Sequence, residues 1–463
     1  MLTAARTLED TSRAQPREPR LFTAADVGYD QARQAWNLAH DQRPAAVARV
    51  RSVEDVMDVV ARARESNLRI AAQGTGHNAT PLGSLHDTVL VRTDMMQSIV
   101  IDPRRRIARV AAGVLSQALT QDASRCALAP LVGSSPTVGV VGYTIGGGIS
   151  FLSRRYGLAA NRVRAIELVT ADGRALRADP DHEPDLFWAV RGGGGSFGVV
   201  TSLEIELLPV PKVYAGLLWY PLVRAAEVLH TWADMTRRGL PDELTTIGRL
   251  VRLPDSPDVE TPVRGKAFVI IEAIHVGEPR EADHLLTGLR ALGPMCDTVR
   301  PISMPALGSL HMDPARPIAA QADGWMLRDL PAQALDVLLD LAGPGTDGPL
   351  TNVELRHLEG AIGRRDPGGG VVSSLNGRYL AIAAGPAPDP ESRRRAMETI
   401  EAVKDVLSPW AAPRTYLNLA GSSQPCASLW DPPSLRRLRQ IKDAVDPSNL
   451  IRSNHPVRFE GNG

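Results

Sequence analysis

A buried strand that runs directly into a glycine-rich turn constrains this chain more than any other stretch. The apolar run 68–72 predicts a strand, and Gln73-Gly74-Thr75-Gly76-His77-Asn78 follows it. The two glycines allow backbone N–H groups to approach an anion without hindrance from a Cβ atom. The sequence therefore predicts an anion-binding turn with the imidazole of His77 beside it.

The segment around this turn predicts a small α+β lobe. Residues 45–50 read as a strand, and Ser52 with Asp55 forms a capping box that opens an amphipathic helix. The strand 68–72 then completes a βαβ unit. Further short strands are predicted at 89–92, 99–102 and 107–112, with a helix from Ser116.

A second lobe has the densest glycine content of the chain, between residues 133 and 150. Glycines interleaved with apolar residues favour a backbone that packs closely against a flat ligand. A Walker loop is excluded because no Gly-Lys-Ser/Thr follows. A hairpin is predicted across Asp172-Gly173, and a short helix from Asp185.

The glycines at 192–195 and 198 contain a GxGxxG pattern. In a dinucleotide-binding fold this pattern precedes a helix, whereas here residues 199–207 alternate between apolar and acidic side chains. The alternation predicts a half-exposed strand. We therefore exclude a Rossmann-type site.

Composition limits the functional classes. The 463 residues are 43% hydrophobic and 22% charged, which is typical of a globular protein with several domains. Lys+Arg and Asp+Glu both number 52, so no net field attracts nucleic acid or an anionic membrane. The absence of a secretory signal and of a long apolar run predicts a cytoplasmic protein. Three distant cysteines favour neither disulfides nor a zinc site, no metal is expected, and the arginine-rich composition suggests a bacterial source.

Pro209-Val210-Pro211 is interpreted as a domain boundary. Beyond it we predict helices near 222–237, 279–292, 331–341 and 390–407, with strands near 266–275, 350–358 and 378–384. This mixture is typical of an antiparallel sheet backed by helices.

Several ordered motifs resemble FAD-linked oxidoreductases of the vanillyl-alcohol-oxidase or p-cresol methylhydroxylase (PCMH) superfamily, in the berberine-bridge-enzyme-like branch. The similarity covers about residues 28–211 and 350–460, and its main motifs lie at 74–77, 136–148, 154–157, 185–194, 354–358, 416–418 and 437–447. It implies an α+β fold, with a two-lobed PCMH-type FAD-binding domain and a substrate domain. The expected domains are a loosely held arm (1–27), the FAD-binding domain (28–211), the substrate-binding domain (212–408) and a C-terminal segment that returns to the FAD domain (409–463).

The resemblance implies that His77 bonds covalently to the flavin. Many relatives form a second bond through a cysteine, but Ser135 occupies that place, and a hydroxyl is a far poorer nucleophile than a thiolate. A single attachment is therefore expected. The other expected FAD contacts are Gln73, Gly74, Thr75, Gly76, Asn78, Gly133, Ser134, Thr137, Gly139, Gly142, Gly146, Gly147, Gly148, Gly198, Val200, Tyr416 and Asn418.

The expected catalytic residues are Tyr143, Glu354, Arg356 and Tyr416. On a strand Glu354 and Arg356 point to one face and His357 to the other. Burial could raise the pKa of Glu354 and make it a base, although a structural Glu–Arg pair is an equal alternative. The family often has a tyrosine after its Tyr-x-Asn triplet, whereas this chain has Leu419, which leaves the proton acceptor open.

These features predict an oxidase that acts on a small organic, secondary-metabolite-like substrate with O₂ as electron acceptor and release of H₂O₂. A monooxygenase that acts on a polyketide-like substrate is the alternative within the same fold. A flavin-binding protein without turnover is the alternative from another class. A monomer and a homodimer both remain open.

Overall fold

Three β-sheets form the framework of the chain in the computed structural model, which describes residues 20–257 and 259–458. The strands are β1 (Leu21–Phe22), β2 (Ala46–Arg49), β3 (Arg69–Gln73), β4 (Thr88–Arg92), β5 (Ile99–Asp102), β6 (Ile107–Ala111), β7 (Val163–Val169), β8 (Ala175–Ala178), β9 (Val199–Glu206), β10 (Lys212–Pro221), β11 (Leu244–Arg252), β12 (Ala267–His275), β13 (Cys296–Asp297), β14 (Arg300–Ser303), β15 (Ala320–Leu327), β16 (Asn352–His357), β17 (Tyr379–Pro386) and β18 (Ile451–Arg452). The helices are α1 (Tyr29–Arg33), α2 (Val53–Glu65), α3 (Ser116–Ser124), α4 (Val140–Ile145), α5 (Ser153–Tyr156), α6 (Pro184–Gly193), α7 (Ala225–Arg237), α8 (Pro279–Leu285), α9 (Thr287–Ala291), α10 (Met304–Leu307), α11 (Ala332–Ala342), α12 (Pro390–Leu407), α13 (Cys426–Leu429) and α14 (Pro432–Val445).

The first sheet has the order β1-β2-β4-β3-β18 and contains the predicted βαβ unit. Strands β2 and β3 are parallel as expected, but β4 lies between them and pairs with both. Helix α2 follows Ser52, whose hydroxyl accepts a hydrogen bond from the backbone N–H of Asp55. The Asp55 carboxylate accepts from the N–H of Arg51 instead of that of Ser52, so the capping box is shifted by one residue.

The predicted N-terminal arm is only partly described. Residues 1–19 lie outside the described residues. The expectation of a loosely held arm is wrong for Leu21 and Phe22, which pair with β2 as β1 at the edge of the first sheet. Their backbone hydrogen bonds hold this part of the segment in place.

The second sheet has the order β5-β6-β9-β7-β8. Strand β9 lies in the middle and pairs antiparallel with β6 and β7, which confirms the strand predicted after the glycine run. The β7–β8 hairpin was also predicted correctly. Both sheets pack into one apolar core with α2, α3, α4, α6 and α14.

The third sheet has the order β13-β10-β12-β11-β16-β17-β15, and its neighbouring strands are antiparallel. Helices α7, α11 and α12 cover one face through residues such as Trp232, Leu335 and Ile400. Because side chains alternate along a strand, the opposite face carries a different set of residues. We call this opposite face the site face.

The sequence-based description of this region needs three corrections. Strands β10, β11, β13, β14 and β15 were not predicted, although all five belong to the third sheet. The expected helix near 279–292 is divided into α8 and α9. A short helix, α4, also lies within the glycine-rich segment that was read only as close-packed backbone.

The C-terminal residues are joined to the first sheet by a buried ion pair. Strand β18 pairs parallel with β3. Lys442 Nζ lies 2.5 Å from Asp446 Oδ2 and donates to the carbonyls of Ser196 (2.7 Å) and Ile451 (2.8 Å). This lysine therefore connects α14, β18 and the loop that precedes β9.

None of the helices within 20–257 and 259–458 combines the length and the apolar character needed to cross a bilayer.

The Lys442 interactions predict a large loss of stability in Lys442→Met. The substitution removes the buried cation that faces the Asp446 carboxylate, which keeps only the backbone N–H donors of Leu450 and Ile451 and the Ser448 hydroxyl, and it takes the lysine donor from two buried carbonyls. The free energy of unfolding should therefore fall by about 3–5 kcal/mol. Urea unfolding measures the change. Arg394→Gln, which removes an exposed arginine that pairs with Glu391 and Glu398, is the control and should leave the midpoint unchanged. Equal midpoints for both variants would contradict the prediction.

Candidate active site

The turn after β3 has the geometry that its glycines predict. Gly76 has a φ angle of +84°, and a Cβ atom there would lie 2.8 Å from the Gln73 amide and 3.0 Å from Ala35. The Gln73 amide itself donates to Gln42 in the core. Residues 74–78 are half-buried, so the turn presents its outer surface to an open space.

His77 is held in this turn by three neighbours. Its Nδ1 atom lies 2.7 Å from the Thr75 hydroxyl, and its Nε2 atom lies 3.3 Å from the Thr137 hydroxyl. The Trp36 indole stacks on the imidazole at 4.2 Å between centroids and 17° between planes. Burial lowers the pKa of His77 to about 4, so the ring is neutral at physiological pH. One ring nitrogen therefore keeps a free lone pair.

The segment 132–138 faces the same space and is half-buried throughout. Ser135 stands where many relatives have a cysteine, and its hydroxyl lies 3.1 Å from the Thr137 hydroxyl. Thr137 in turn contacts His77, so Ser135 is connected to His77 through Thr137. Gly142 is exposed, and a Cβ atom there would have no neighbour within 4 Å. The half-buried turn and the half-buried segment 132–138 therefore lie side by side, and we call the surface between them the hollow.

Tyr416 connects the C-terminal segment to the triple glycine 146–148. Its hydroxyl oxygen accepts hydrogen bonds from the backbone N–H groups of Gly148 (2.9 Å) and Ile149 (3.1 Å) and from the Asn418 amide (2.8 Å). The same amide donates to the Tyr143 carbonyl at 2.8 Å. Burial raises the pKa of Tyr416 to about 12. The position of Tyr416 is therefore that of an anchor for the glycine-rich loop.

Tyr143 differs from Tyr416 because its hydroxyl is buried and has no hydrogen-bond partner. The ring packs against the backbone of Gly133 and Gly148, where a Cβ atom would approach within 3.1 Å and 2.9 Å of it. Burial raises the pKa of Tyr143 well above its usual value, so the group is a neutral donor. A buried donor without an acceptor in the protein indicates a ligand atom or a water at this point.

Five charged side chains form a buried network on the site face. Arg249 Nη1 lies 2.7 Å from Glu272 Oε1, and His311 Nδ1 lies 2.8 Å from the same oxygen. On its other side His311 Nε2 lies 3.0 Å from Glu354 Oε2, and Glu354 also pairs with Arg356 Nε. We call these five residues the charge cluster. It extends across β11, β12 and β16 and includes the loop that follows α10.

The charges in this cluster correct the expectation for Glu354. Burial alone raises the pKa of this carboxyl, but the positive charges of Arg356 and His311 lower it well below the usual value. For His311 the signs are reversed: burial alone lowers its pKa, but the negative charges of Glu272 and Glu354 raise it to about 9. Glu354 is therefore an ionised carboxylate and His311 a cation at neutral pH. The idea that burial makes Glu354 a base of raised pKa is wrong.

Arg356 brings the charge cluster next to the glycine-rich loops. Its Nη2 atom lies 3.4 Å from the Ser134 hydroxyl, which donates to Asp313 at 3.1 Å. The positive charge of Arg356 also acts on Tyr143 and Tyr416 and lowers their pKa values. Burial has the larger effect, so both pKa values remain raised. His357 points to the opposite face of β16, where it pairs with Glu359.

Two expected FAD contacts are deeply packed. Gly198 lies so close to β7 that a Cβ atom would approach the Val169 carbonyl within 2.7 Å. Val200 is buried and pairs with Leu168 in the middle of the second sheet. Their contact with the cofactor stays a prediction.

The sequence analysis missed five residues of this site: Trp36, Arg249, Glu272, His311 and Asp313. Glu272 carried a usable signal, because it is a single charge in the otherwise apolar strand β12. A charge at such a position is retained only with partners, which indicates a buried network. The partners themselves come from distant parts of the chain and have no local pattern.

These observations fit a bound flavin. The two half-buried loops and the open side of Gly142 leave room for a flat group, and the Tyr143 hydroxyl offers a donor that the protein does not satisfy. Residues 74–78, 133–139 and 146–148 would hold the cofactor, with His77 at one end and Arg356 at the other.

Comparisons with known proteins agree with this fit. A family model described as an FAD binding domain matches residues 44–179. The chain is 28% identical to the (R)-6-hydroxynicotine oxidase of Paenarthrobacter nicotinovorans, over 94% of this chain and 96% of the relative. The crystal structure of 6-hydroxy-D-nicotine oxidase from Arthrobacter nicotinovorans has a TM-score of 0.78 at 26% identity, covering 96% of this chain and 98% of that one. Berberine bridge enzyme from Eschscholzia californica shares the fold, with a TM-score of 0.81 at 20% identity over 96% and 98% of the two chains.

The fold and the FAD binding domain define an FAD-linked oxidoreductase of the PCMH type. Its fold is the one that berberine bridge enzyme also has, in agreement with the resemblance of its motifs.

The different surroundings of the two buried tyrosines predict opposite effects of removing their hydroxyls. Tyr416→Phe leaves three N–H donors without an acceptor and should lower the free energy of unfolding by about 1–3 kcal/mol. Tyr143→Phe removes an unpaired hydroxyl and should leave stability unchanged or raise it. Denaturant unfolding of the two variants compares them directly. A loss in Tyr143→Phe as large as that in Tyr416→Phe would contradict this assignment.

Proposed function

We propose that this chain is an FAD-dependent oxidase that carries its flavin on His77 through one covalent bond. Its reaction is the oxidation of a C–H, C–OH or C–N centre of a small organic substrate. The observation that carries the proposal is the position of His77, a neutral imidazole held between Thr75, Thr137 and Trp36 in a half-buried hollow.

The state of the imidazole supports covalent attachment. A nitrogen must have a free lone pair to bond to carbon, and a pKa of about 4 keeps the ring unprotonated at neutral pH. Trp36 fixes the plane of the ring, and the two threonine hydroxyls fix its rotation. Ser135 offers only a hydroxyl, so no second bond is expected.

The chain's own residues bind and orient the substrate. When bound, FAD supplies the hydride acceptor, which O₂ regenerates with release of H₂O₂. Arg356 and Tyr143 would donate hydrogen bonds to a substrate oxygen, while Glu354 holds the guanidinium in position. Tyr416 and Asn418 hold the backbone of the glycine-rich loop in position through hydrogen bonds to Gly148 and Tyr143.

The relatives support a small organic substrate. The relative that matches nearly the whole chain is named for 6-hydroxynicotine, which suggests that amine oxidation is a reasonable first assay. We place the protein in the bacterial cytoplasm and in secondary metabolism, as a monomer or a homodimer. Anaerobic mixing with (R)-6-hydroxynicotine, followed by the flavin absorbance, is the first experiment on this point.

The proposal predicts that His77→Ala abolishes covalent flavin. Wild-type protein precipitated with acid should remain yellow, and its intact mass should exceed that of the chain by one FAD. His77→Ala should release all its flavin into the supernatant. His86→Ala, at an exposed histidine of the same segment, is the control and should retain the bond. Colourless wild-type precipitate would refute the attachment, and purified protein without any flavin would refute the enzymatic proposal.

A monooxygenase is the second candidate because of Leu419. This side chain occupies the place of the family tyrosine and packs in an apolar cluster with Leu380 and Ile382 of the site face. One relative, 33% identical over 39% of this chain, is an FAD-dependent monooxygenase of Fusarium proliferatum.

The two candidates differ in the fate of oxygen. For any compound that bleaches the flavin, we expect a single turnover in ¹⁸O₂ to give product without label and labelled H₂O₂. Mass spectrometry of the product measures this. Label in the organic product would favour the monooxygenase.

A further inference from the structure

The Trp36 indole is held in place independently of the imidazole on which it stacks. The backbone N–H of Trp36 donates to the Thr75 carbonyl at 2.9 Å, and the N–H of Leu38 donates to the Ile318 carbonyl at 2.8 Å. The segment 36–38 is therefore fixed from the side of the turn and from the side of the loop that precedes β15. Because these hydrogen bonds use backbone atoms alone, a different side chain at position 36 leaves the segment where it is.

The imidazole of His77 has no ionised neighbour that could stabilise a positive charge on it. Its hydrogen-bond partners, Thr75 and Thr137, are neutral hydroxyls, and burial accounts for its low pKa. Within residues 20–257 and 259–458 no carboxylate forms an ion pair with this ring. The electron-rich group in contact with it is the indole of Trp36, at 4.2 Å between centroids and 17° between planes.

The covalent bond proposed above places a positive charge on this imidazole while the bond forms. The C8 methyl carbon of FAD loses a proton, and the electron pair of the broken C–H bond passes into the flavin. The lone pair of one ring nitrogen of His77 forms the new bond to that carbon, which leaves an imidazolium. The other nitrogen then loses its N–H proton, and O₂ takes the two electrons and the two protons as H₂O₂.

We propose that Trp36 is a positioning residue for flavin attachment, whose indole holds the plane of the imidazole and stabilises the positive charge that this ring acquires. This inference rests on the proposed function and deepens its attachment step. A cation over the face of an indole, within about 6 Å of the ring centroid, is attracted by the ring quadrupole. The attraction is stronger where water is excluded, as it is in part at the half-buried turn.

The rate of attachment tests this inference. The full chain, produced in a riboflavin-starved host, is mixed with saturating FAD in air, and its intact mass is followed with time. Trp36→Leu should attach FAD about tenfold more slowly than wild type, whereas Trp36→Phe, which keeps an aromatic face, should stay within about threefold of it. Trp188→Leu is the matched control, because it removes an indole that packs on Arg437 of α14, and it should attach FAD at the wild-type rate.

Fluorination separates the effect of charge from that of packing, because it weakens the negative face of an indole and hardly changes its size. Wild type that contains 5-fluorotryptophan should attach FAD about twofold more slowly than unlabelled wild type. In Trp36→Phe the same labelling of the other tryptophans should leave the rate unchanged. This comparison also takes the place of Trp36→Leu if that variant fails to fold.

Equal attachment rates in Trp36→Leu and wild type would overturn this inference and leave the single covalent bond standing. A Trp36→Phe variant as slow as Trp36→Leu would also overturn it, as would a fluorination effect that persists in Trp36→Phe or a slow Trp188→Leu control. Wild-type protein that binds FAD but never gains its mass would instead overturn the attachment in the proposed function.

Discussion

The charge cluster is the constraint on which the rest of this site depends. Glu272 lies between Ile270 and Ile274 on the site face of β12, and an unpaired carboxylate in such apolar surroundings is strongly destabilising. Glu354 is fully buried on β16 and is equally in need of partners. Arg249 and Arg356 come from neighbouring positions of the same sheet, but His311 comes from a loop. The two glutamates keep their partners only if β11 pairs with β16 in this register and the loop places His311 between them.

The cluster also determines how the third sheet meets the glycine-rich loops. Arg356 reaches Ser134 from the sheet side, while Tyr416 and Asn418 reach the 143–149 backbone from the C-terminal segment. Removing one partner of such a buried pair is strongly destabilising, because it leaves a buried charge uncompensated. The hollow is therefore enclosed by polar contacts from two directions. The C-terminal segment also contacts the turn at 73–78, because the Asn78 amide donates to the carbonyls of Leu417 and Asn418 at 3.4 Å.

Local patterns predicted strand β3, the glycine-rich turn that follows it and the capped start of α2, because turns and caps depend on neighbouring residues. Three of the missed strands, β10, β11 and β15, share a physical cause. Each has a glycine near its middle, where the structure packs another element too closely for a Cβ atom: Gly216 against Thr298 and Val299, Gly248 against Leu229 and Trp232, and Gly324 against Leu419. A glycine in a strand weakens the apolar pattern that indicates a strand. The charge cluster was equally hidden, because Glu272 and His311 are brought together by tertiary packing.

Leu419 explains why the polar groups of the site lie where they do. Its side chain packs on Gly324 and joins an apolar cluster with Tyr416 and Leu380, so the place of the family tyrosine is apolar in this chain. Under the proposed function, polar contacts to a substrate come from Tyr143 on the loop side and from Arg356 on the sheet side. Tyr143 is neutral and Arg356 is permanently charged, and both donate. Under the proposed function both groups bind an accepting oxygen of the substrate, while the ionised Glu354 holds the Arg356 guanidinium in position.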